Sequence, residues 1–178
     1  MAVEKVTPVF HGRVITVNIE TVRLPNDHVV DLEIIRLAHG AATAAIDERG
    51  RVCLIRQFRH AANGWIWELP AGKIEPSEQP QDTARRELIE ETGNSAAHWQ
   101  ALGCYVASPG VFTEVVYLFL AQGLDAVKMR HEPAELIEVH WLDLHEACQW
   151  ALTGKINDGK TALGLLRARA ALSSQDAP

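Results

Sequence analysis

An α+β fold, an α/β/α sandwich with a mixed sheet preceded by an N-terminal antiparallel β-hairpin, is the architecture this sequence predicts. Three observations carry the expectation. Short apolar runs bounded by turn residues recur from Ile15 to Leu142, some alternating with polar residues and some continuous, as strands do. The stretch 80–92 opens on Pro80 and is closed by Gly93, residues that favour a helix start and a helix stop. Two further helical stretches, about 143–153 and 158–173, follow the last apolar run, with Gly154 as a stop and Asn157 or Asp158 as a cap.

With 47% hydrophobic and 22% charged residues over 178 positions, the chain can bury a full core in one domain. A net charge of -6 with no Lys/Arg run argues against a surface that coats nucleic acid, whereas a small polyanion stays compatible if a bound cation supplies positive charge. The N-terminus MAVEKVTPVF lacks an apolar leader core, and no apolar stretch is long enough to span a bilayer, so we expect a cytoplasmic protein with no membrane contact. Cys53, Cys104 and Cys148 are odd in number and form no CxxC, which predicts reduced, buried thiols. The histidines, His140 and His145 included, show no zinc-type pairing.

Taken in order, Ile15, Val17 and Ile19 alternate with Thr16, Asn18 and Glu20, and beyond the turn LPND, Val30, Leu32 and Ile34 alternate with Asp31 and Glu33. Such a hairpin is marginal alone, so segment 1–38 is expected to pack on the main domain, 39–173, or on a partner chain. AATAAI and RVCLIRQF flank Asp47-Glu48-Arg49-Gly50 and read as a second hairpin whose strands are covered on both faces. Asn63-Gly64 marks a turn, Trp65 and Trp67 share one face of the next strand as core or interface packing, and Pro70 ends it. The run EVVYLFLA and the stretch Leu136 to Leu142 supply further strands, and the tail 174–178 is expected to be disordered.

The stretch Gly72–Gly93 carries the chemistry. At about 100° per residue, Glu87 and Glu91 lie roughly 40° apart on the helix, with Glu90 about 60° further round. Three carboxylates share a stripe at the edge of the face formed by Ala84, Leu88 and Thr92. Like charges at this spacing cost about 0.2–0.5 kcal/mol, and negative charge in the last turn opposes the helix dipole. Arg86 reaches Glu90 at i, i+4, leaving Glu87 and Glu91 without a helical cation. A divalent cation resolves the conflict, because clustered carboxylates are hard oxygen ligands of the kind Mg2+ takes together with waters and substrate phosphate.

Gly72, Glu78, Arg86, Glu87, Leu88, Glu90, Glu91 and Gly93 match the pattern G-x5-E-x7-R-E-U-x-E-E-x-G-U, with U aliphatic, at every position but the last, where Asn94 stands. By these residues the chain is identified as a member of the Nudix hydrolase superfamily, which implies the Nudix fold and a packing adjustment at Asn94. Arg56-Gln57-Phe58-Arg59 resembles the RQYR element, and Glu68-Leu69-Pro70-Ala71-Gly72 the ELPAG element, of the ADP-ribose pyrophosphatase branch. Pro109, 16 residues beyond Gly93, stands where that branch carries a proline, within SPGVFTE in place of the usual SPGF(S/T)DE. Val111 and Thr113 depart from that pattern and Glu114 keeps it. The likeness spans residues of about 10 to 170, because GKINDGKTALGLL also resembles the branch's closing helix.

The resemblance implies the Ala71 carbonyl, Glu87 and Glu91 as metal ligands, with Glu78 in the outer shell and two or more Mg2+ or Mn2+ ions per site. It implies Arg86 and Glu90 in the catalytic array, and Arg59, Glu75, Pro109 and Glu114 on the substrate side. A loop glutamate, Glu132 or Glu135, is implied as the general base, and the N-terminal sheet as a homodimer interface. The expected reaction is hydrolysis of ADP-ribose to AMP and ribose 5-phosphate. The departure at SPGVFTE keeps a sister enzyme for another nucleoside diphosphate sugar, such as GDP-mannose, as the alternative. A hydrolase of damaged nucleoside triphosphates fits the box but not Pro109, and a non-catalytic ADP-ribose sensor would be expected to lose box carboxylates.

Overall fold

The computed structural model of the chain describes residues 2–129 and 136–175. Its elements fall into two compact units, one running to His39 and taking in Tyr105–Val115, the other holding Gly40–Cys104 and the described residues from Val116 on.

The first unit contains an antiparallel sheet in the order β1 (Ala2–His11), β2 (Thr16–Arg23), β3 (Val29–Arg36). The expected hairpin is β2–β3, closed where Asp27 takes φ 63° and the Leu24 N–H donates to the His28 carbonyl at 2.8 Å. Strand β1 makes the hairpin a three-stranded sheet, with a register shift after Pro8, whose missing N–H cannot join a ladder. On β2 the buried residues are Asn18, Glu20 and Val22, while Val17 and Ile19 are half-buried. Burial of Glu20 requires a partner, and Arg36 provides one through Nε at 3.1 Å and Nη2 at 2.5 Å. The segment 105–115 adds to β3, as the Ile35 N–H donates to the Val111 carbonyl at 2.8 Å and the Thr113 N–H to the Ile35 carbonyl at 3.1 Å.

The second unit contains β4 (Gly40–Ala45), β5 (Arg51–Arg59), β6 (Gly64–Glu68), β7 (Ala71–Lys73), α1 (Pro80–Thr92), β10 (Ile137–Asp143), α2 (Leu144–Leu152) and α3 (Gly159–Gln175). Strands β8 (Asn94–Val106) and β9 (Val115–Ala126) complete a mixed sheet of order β7-β4-β9-β8, in which β4 runs parallel to β9 and antiparallel to β7. A second, antiparallel sheet has the order β10-β5-β6.

This topology corrects one expectation. AATAAI is covered throughout, whereas RVCLIRQF is covered over Val52–Ile55 and at Gln57 but exposes Arg56 and Phe58, and the two are not a hairpin pair. The turn between them does form, with the Asp47 N–H donating to the Arg51 carbonyl at 3.0 Å and a single bridge from Ile46 to Val52. Beyond that bridge the strands enter different sheets, β4 pairing with β7 and β9, and β5 with β6 and β10. Small residues make this arrangement possible. Gly40–Ala45 is buried throughout, and its alanines let α1 approach until the Thr43 hydroxyl donates to the Ala84 carbonyl at 3.4 Å.

Helix α1 packs on β4 and β7, α2 on β5 and β10, and α3 on β4 and β6. Leu88 of α1 joins Ala45, Cys53 and Ala121 in the core. Cys53 and Cys148 are buried as expected, whereas Cys104 is exposed. Trp67 packs edge-on to His140 and Trp150, and Trp65, on the same face, stays 40% exposed. Helix α3 continues to Gln175, past the expected end at 173, with the Ser173 and Ser174 hydroxyls donating to the Arg169 and Ala171 carbonyls.

Candidate active site

Helix α1 begins and ends as its sequence requires. Pro80 lies in the first turn, and Gly93 closes the helix at φ 68° with its N–H donating to the Ile89 carbonyl at 3.0 Å. A Cβ on Gly93 would stand 3.1 Å from the Val127 carbonyl oxygen, a tight contact, so packing favours glycine as well as the turn. Asn94, at the position where the Nudix pattern is usually aliphatic, turns its amide back to donate to the Thr92 carbonyl at 2.9 Å and hydroxyl at 3.1 Å. The polar residue thus serves the helix end.

The acidic stripe does not sit wholly at an edge. Glu91 lies on the packed face with Thr83, Ala84, Leu88 and Thr92, and is 2% exposed. Its Oε2 accepts the Ala71 N–H at 2.8 Å, which binds β7 to the helix across 20 residues. Next to it, Gly72 leaves room for Glu87: a Cβ there would stand 1.9 Å from Glu87 Oε1 and 2.1 Å from its Cδ. The glycine opening the motif is therefore the hollow that receives its first helical carboxylate.

Arg86 holds more of the cluster than its i, i+4 spacing predicts. Its Nη1 donates to Glu87 Oε1 at 2.6 Å as well as to Glu90 Oε2 at 3.0 Å, so Glu87 does have a helical cation. Its Nε and Nη2 grip Glu78 at 2.9 and 3.1 Å, and Nη2 also donates to the Lys73 carbonyl at 3.2 Å. These bonds, Glu78 foremost, raise the Arg86 pKa above its ordinary value. Bonds from Arg86 and then Thr83 lower Glu78 to about 2. Glu78 is in this way tied to Arg86, and Glu75 shares its turn, with the Glu75 N–H donating to Glu78 Oε2 at 3.2 Å.

The donor set fits a divalent cation of the hard class. Glu87, Glu90 and Glu91 offer carboxylate oxygens on α1, and the Ala71 peptide lies against Glu91. Among the described residues no three His, Cys, Asp or Glu side chains close into an all-protein cage. Mg2+ does not ask for one, since it usually binds through one or two carboxylates and leaves the remaining positions to water and substrate phosphate.

Arg59, on β5, makes a bidentate pair with Glu68 of β6, through Nε at 2.6 Å and Nη2 at 3.0 Å. Glu68 is 1% exposed and also pairs with Lys160 of α3. Burial pushes its carboxyl up, and the bonds from Arg59 with the charge of Lys160 outweigh that and hold it below the ordinary range. Glu68, Lys160 and Thr83 carry no spacing signal that marks them as site residues, although Glu68 stands in the ELPAG run. Pro109 and Glu114 belong to the first unit, where the Glu114 carbonyl accepts the Ala107 N–H at 3.1 Å. Glu132 and Glu135 lie outside the described residues.

The family model described as NUDIX domain matches residues 37–163. An ADP-ribose pyrophosphatase of Bacillus subtilis is 34% identical over 171 residues, covering 94% of this chain and 92% of that protein. A methanol dehydrogenase activator of Bacillus methanolicus is 33% identical over 163 residues, covering 90% and 88%. A solved structure described as an ADP compounds hydrolase superposes with a TM-score of 0.85 at 21% identity, covering 98% of this chain and 95% of that one, a likeness of fold. With the family model spanning most of its length and the box carboxylates gathered between α1 and β7, this chain belongs to the Nudix hydrolase family.

Proposed function

We propose that this chain hydrolyses the pyrophosphate bond of ADP-ribose, giving AMP and ribose 5-phosphate, with Mg2+ or Mn2+ as two or more ions per site. The observation that carries the substrate is the extent of the likeness. Similarity to the Bacillus subtilis ADP-ribose pyrophosphatase runs over 94% of this chain, well beyond the 37–163 that match the family model. In this reading Glu87, Glu91 and the Ala71 carbonyl hold the ions. The chemistry supplied there is neutralisation of the pyrophosphate charge and activation of water. Arg86 keeps Glu87 and Glu90 oriented while its other edge holds Glu78. Arg59 offers a guanidinium to phosphate oxygens, a geometry suited to bidentate contact, with Glu75 on the substrate side. Glu132 or Glu135 accepts the proton of the attacking water.

The same reading makes the N-terminal sheet a homodimer interface. Cross-strand pairing puts Val6 with Glu20 and Leu32, and Val3 with Val22 and Val30, on one face, where Val3, Val6 and Leu32 are 52%, 48% and 37% exposed. Among the described residues no helix is long and apolar enough to cross a membrane, and we propose the cytoplasm as the compartment. The test is phosphate release, coupled to a phosphatase, from ADP-ribose, GDP-mannose, NADH, diadenosine polyphosphates and oxidised dGTP, each with Mg2+ and with chelator. Preference for ADP-ribose that vanishes with chelator is the expected result. Metal-dependent preference for another compound replaces the substrate, and ADP-ribose binding with no turnover overturns the enzyme.

A further inference from the structure

We infer that Glu68 is the positioning residue for Arg59, with Lys160 and Asp158 holding Glu68 in turn, so that the guanidinium is oriented for substrate phosphate before substrate arrives. This rests on the proposed function, in which Arg59 meets the phosphates. Register shows what the contact requires. Glu68 stands opposite Ile55, whereas Arg59 pairs with Gly64 four residues further along β5, about 13 Å away. The Arg59 side chain therefore runs back along the face it shares with Gln57 to reach the carboxylate. Its bidentate grip through Nε and Nη2 sets the plane of the guanidinium as well as its place.

The carboxylate is itself immobilised. Its Oε2, which accepts Arg59 Nη2, also meets Lys160 Nζ. Lys160 pairs with Asp158 at 3.0 Å, and Asp158 accepts from the Thr161 N–H at 3.1 Å and hydroxyl at 2.5 Å. The Thr161 hydroxyl accepts the Leu69 N–H at 2.8 Å, so the start of α3 and the end of β6 are tied at adjacent residues. The Arg59 side chain is 41% exposed, while that of Glu68, at the root of these contacts, is 1% exposed.

Stability alone is a weak reason for the arrangement. A buried ion pair is often no better for stability than apolar residues of the same volume. On the same face, Gln57 is 3% exposed and its Oε1 has no hydrogen-bond partner among the described residues, so this layer is not one in which every polar group is paired for stability. Preorganisation explains the cost, because an arginine already held in place loses less rotamer freedom on binding.

Glu68→Gln keeps shape and removes charge. Its KM for ADP-ribose is expected to rise about tenfold with kcat within about twofold, and calorimetric affinity for ADP-ribose in chelator to fall in the same ratio. Adding Glu68→Gln to Arg59→Ala is expected to raise KM by less than about twofold, since the residue being positioned is gone. An unchanged KM in a folded Glu68→Gln protein, or full additivity with Arg59→Ala, overturns the inference. If Glu68→Gln does not fold, Lys160→Met loosens the same carboxylate. A KM rise of about threefold that disappears on the Arg59→Ala background supports the inference, and an equal rise on both backgrounds overturns it. Failure of the wild-type protein to turn over ADP-ribose sinks the proposed function instead, so the two failures are distinguishable.

Discussion

Replacing Gly72 with alanine separates the stability of the fold from the placement of one carboxylate. The added Cβ would stand 1.9 Å from Glu87 Oε1, 2.1 Å from Cδ and 2.8 Å from Oε2, against a closest tolerable approach of 3.0 Å. Gly72 is not among the positive-φ glycines, so alanine fits the backbone, and the three nearest atoms all belong to one flexible side chain. Glu87 must retreat by about 1 Å or more, at a rotamer cost of about 0.5–1.5 kcal/mol. For a chain of this size that lowers Tm by roughly 2–4 °C per kcal/mol. Catalysis should suffer far more, because a misplacement of about 1 Å in a reacting constellation costs on the order of 10²-fold. Thermal unfolding and Mg2+-dependent turnover of ADP-ribose, measured on the same preparation, test this. Turnover within about threefold of wild type at an unchanged Tm would refute the assignment of Glu87 to the metal site.

Glu91→Gln keeps an acceptor for the Ala71 N–H but removes a negative charge, so turnover should fall by about 10²-fold or more with Tm little changed; wild-type turnover would remove Glu91 from the metal site. Acid stability should depend on Glu78. Its pKa is lowered from 4.5 to about 2 in the folded chain, so its contribution is complete above 4.5 and is lost as pH falls towards 2. Urea midpoints in chelator should show a flatter dependence across that window for Glu78→Gln, and identical slopes would contradict the Arg86–Glu78 pairing. Light scattering should find a dimer that Val6→Lys converts to monomer, since Val6 lies 48% exposed beside Glu20 and Leu32 on the face of the N-terminal sheet proposed as the interface; a monomeric wild type at micromolar concentration would count against that interface.

Most of the elements were legible because local signals and the final structure agree. Alternation, Asn63-Gly64 and the Pro80–Gly93 bracket each report a backbone preference that the fold leaves in place. The departures arise where a partner distant in sequence decides the outcome. Beyond the bridge from Ile46 to Val52, β4 parts from β5 and pairs along its edges with β9 and β7, partners that no turn residue announces. On β2 the polar residues Asn18 and Glu20 are buried, with Arg36 across the sheet making the burial of Glu20 tolerable. The site divides in the same way. Motif spacing by itself determined that Glu87, Glu90 and Glu91 share one stripe of a helix that starts at Pro80 and stops at Gly93, because helical pitch is a local property. Only the tertiary structure decided that Glu91 is buried on the Ala71 N–H, that Gly72 is the hollow for Glu87, and that Arg59 is held by Glu68, which is itself paired with Lys160. Each of those contacts joins residues whose approach is set by the packing of α1 on β7, the pairing of β5 with β6 and the packing of α3 on β6, and packing is a property of the whole chain.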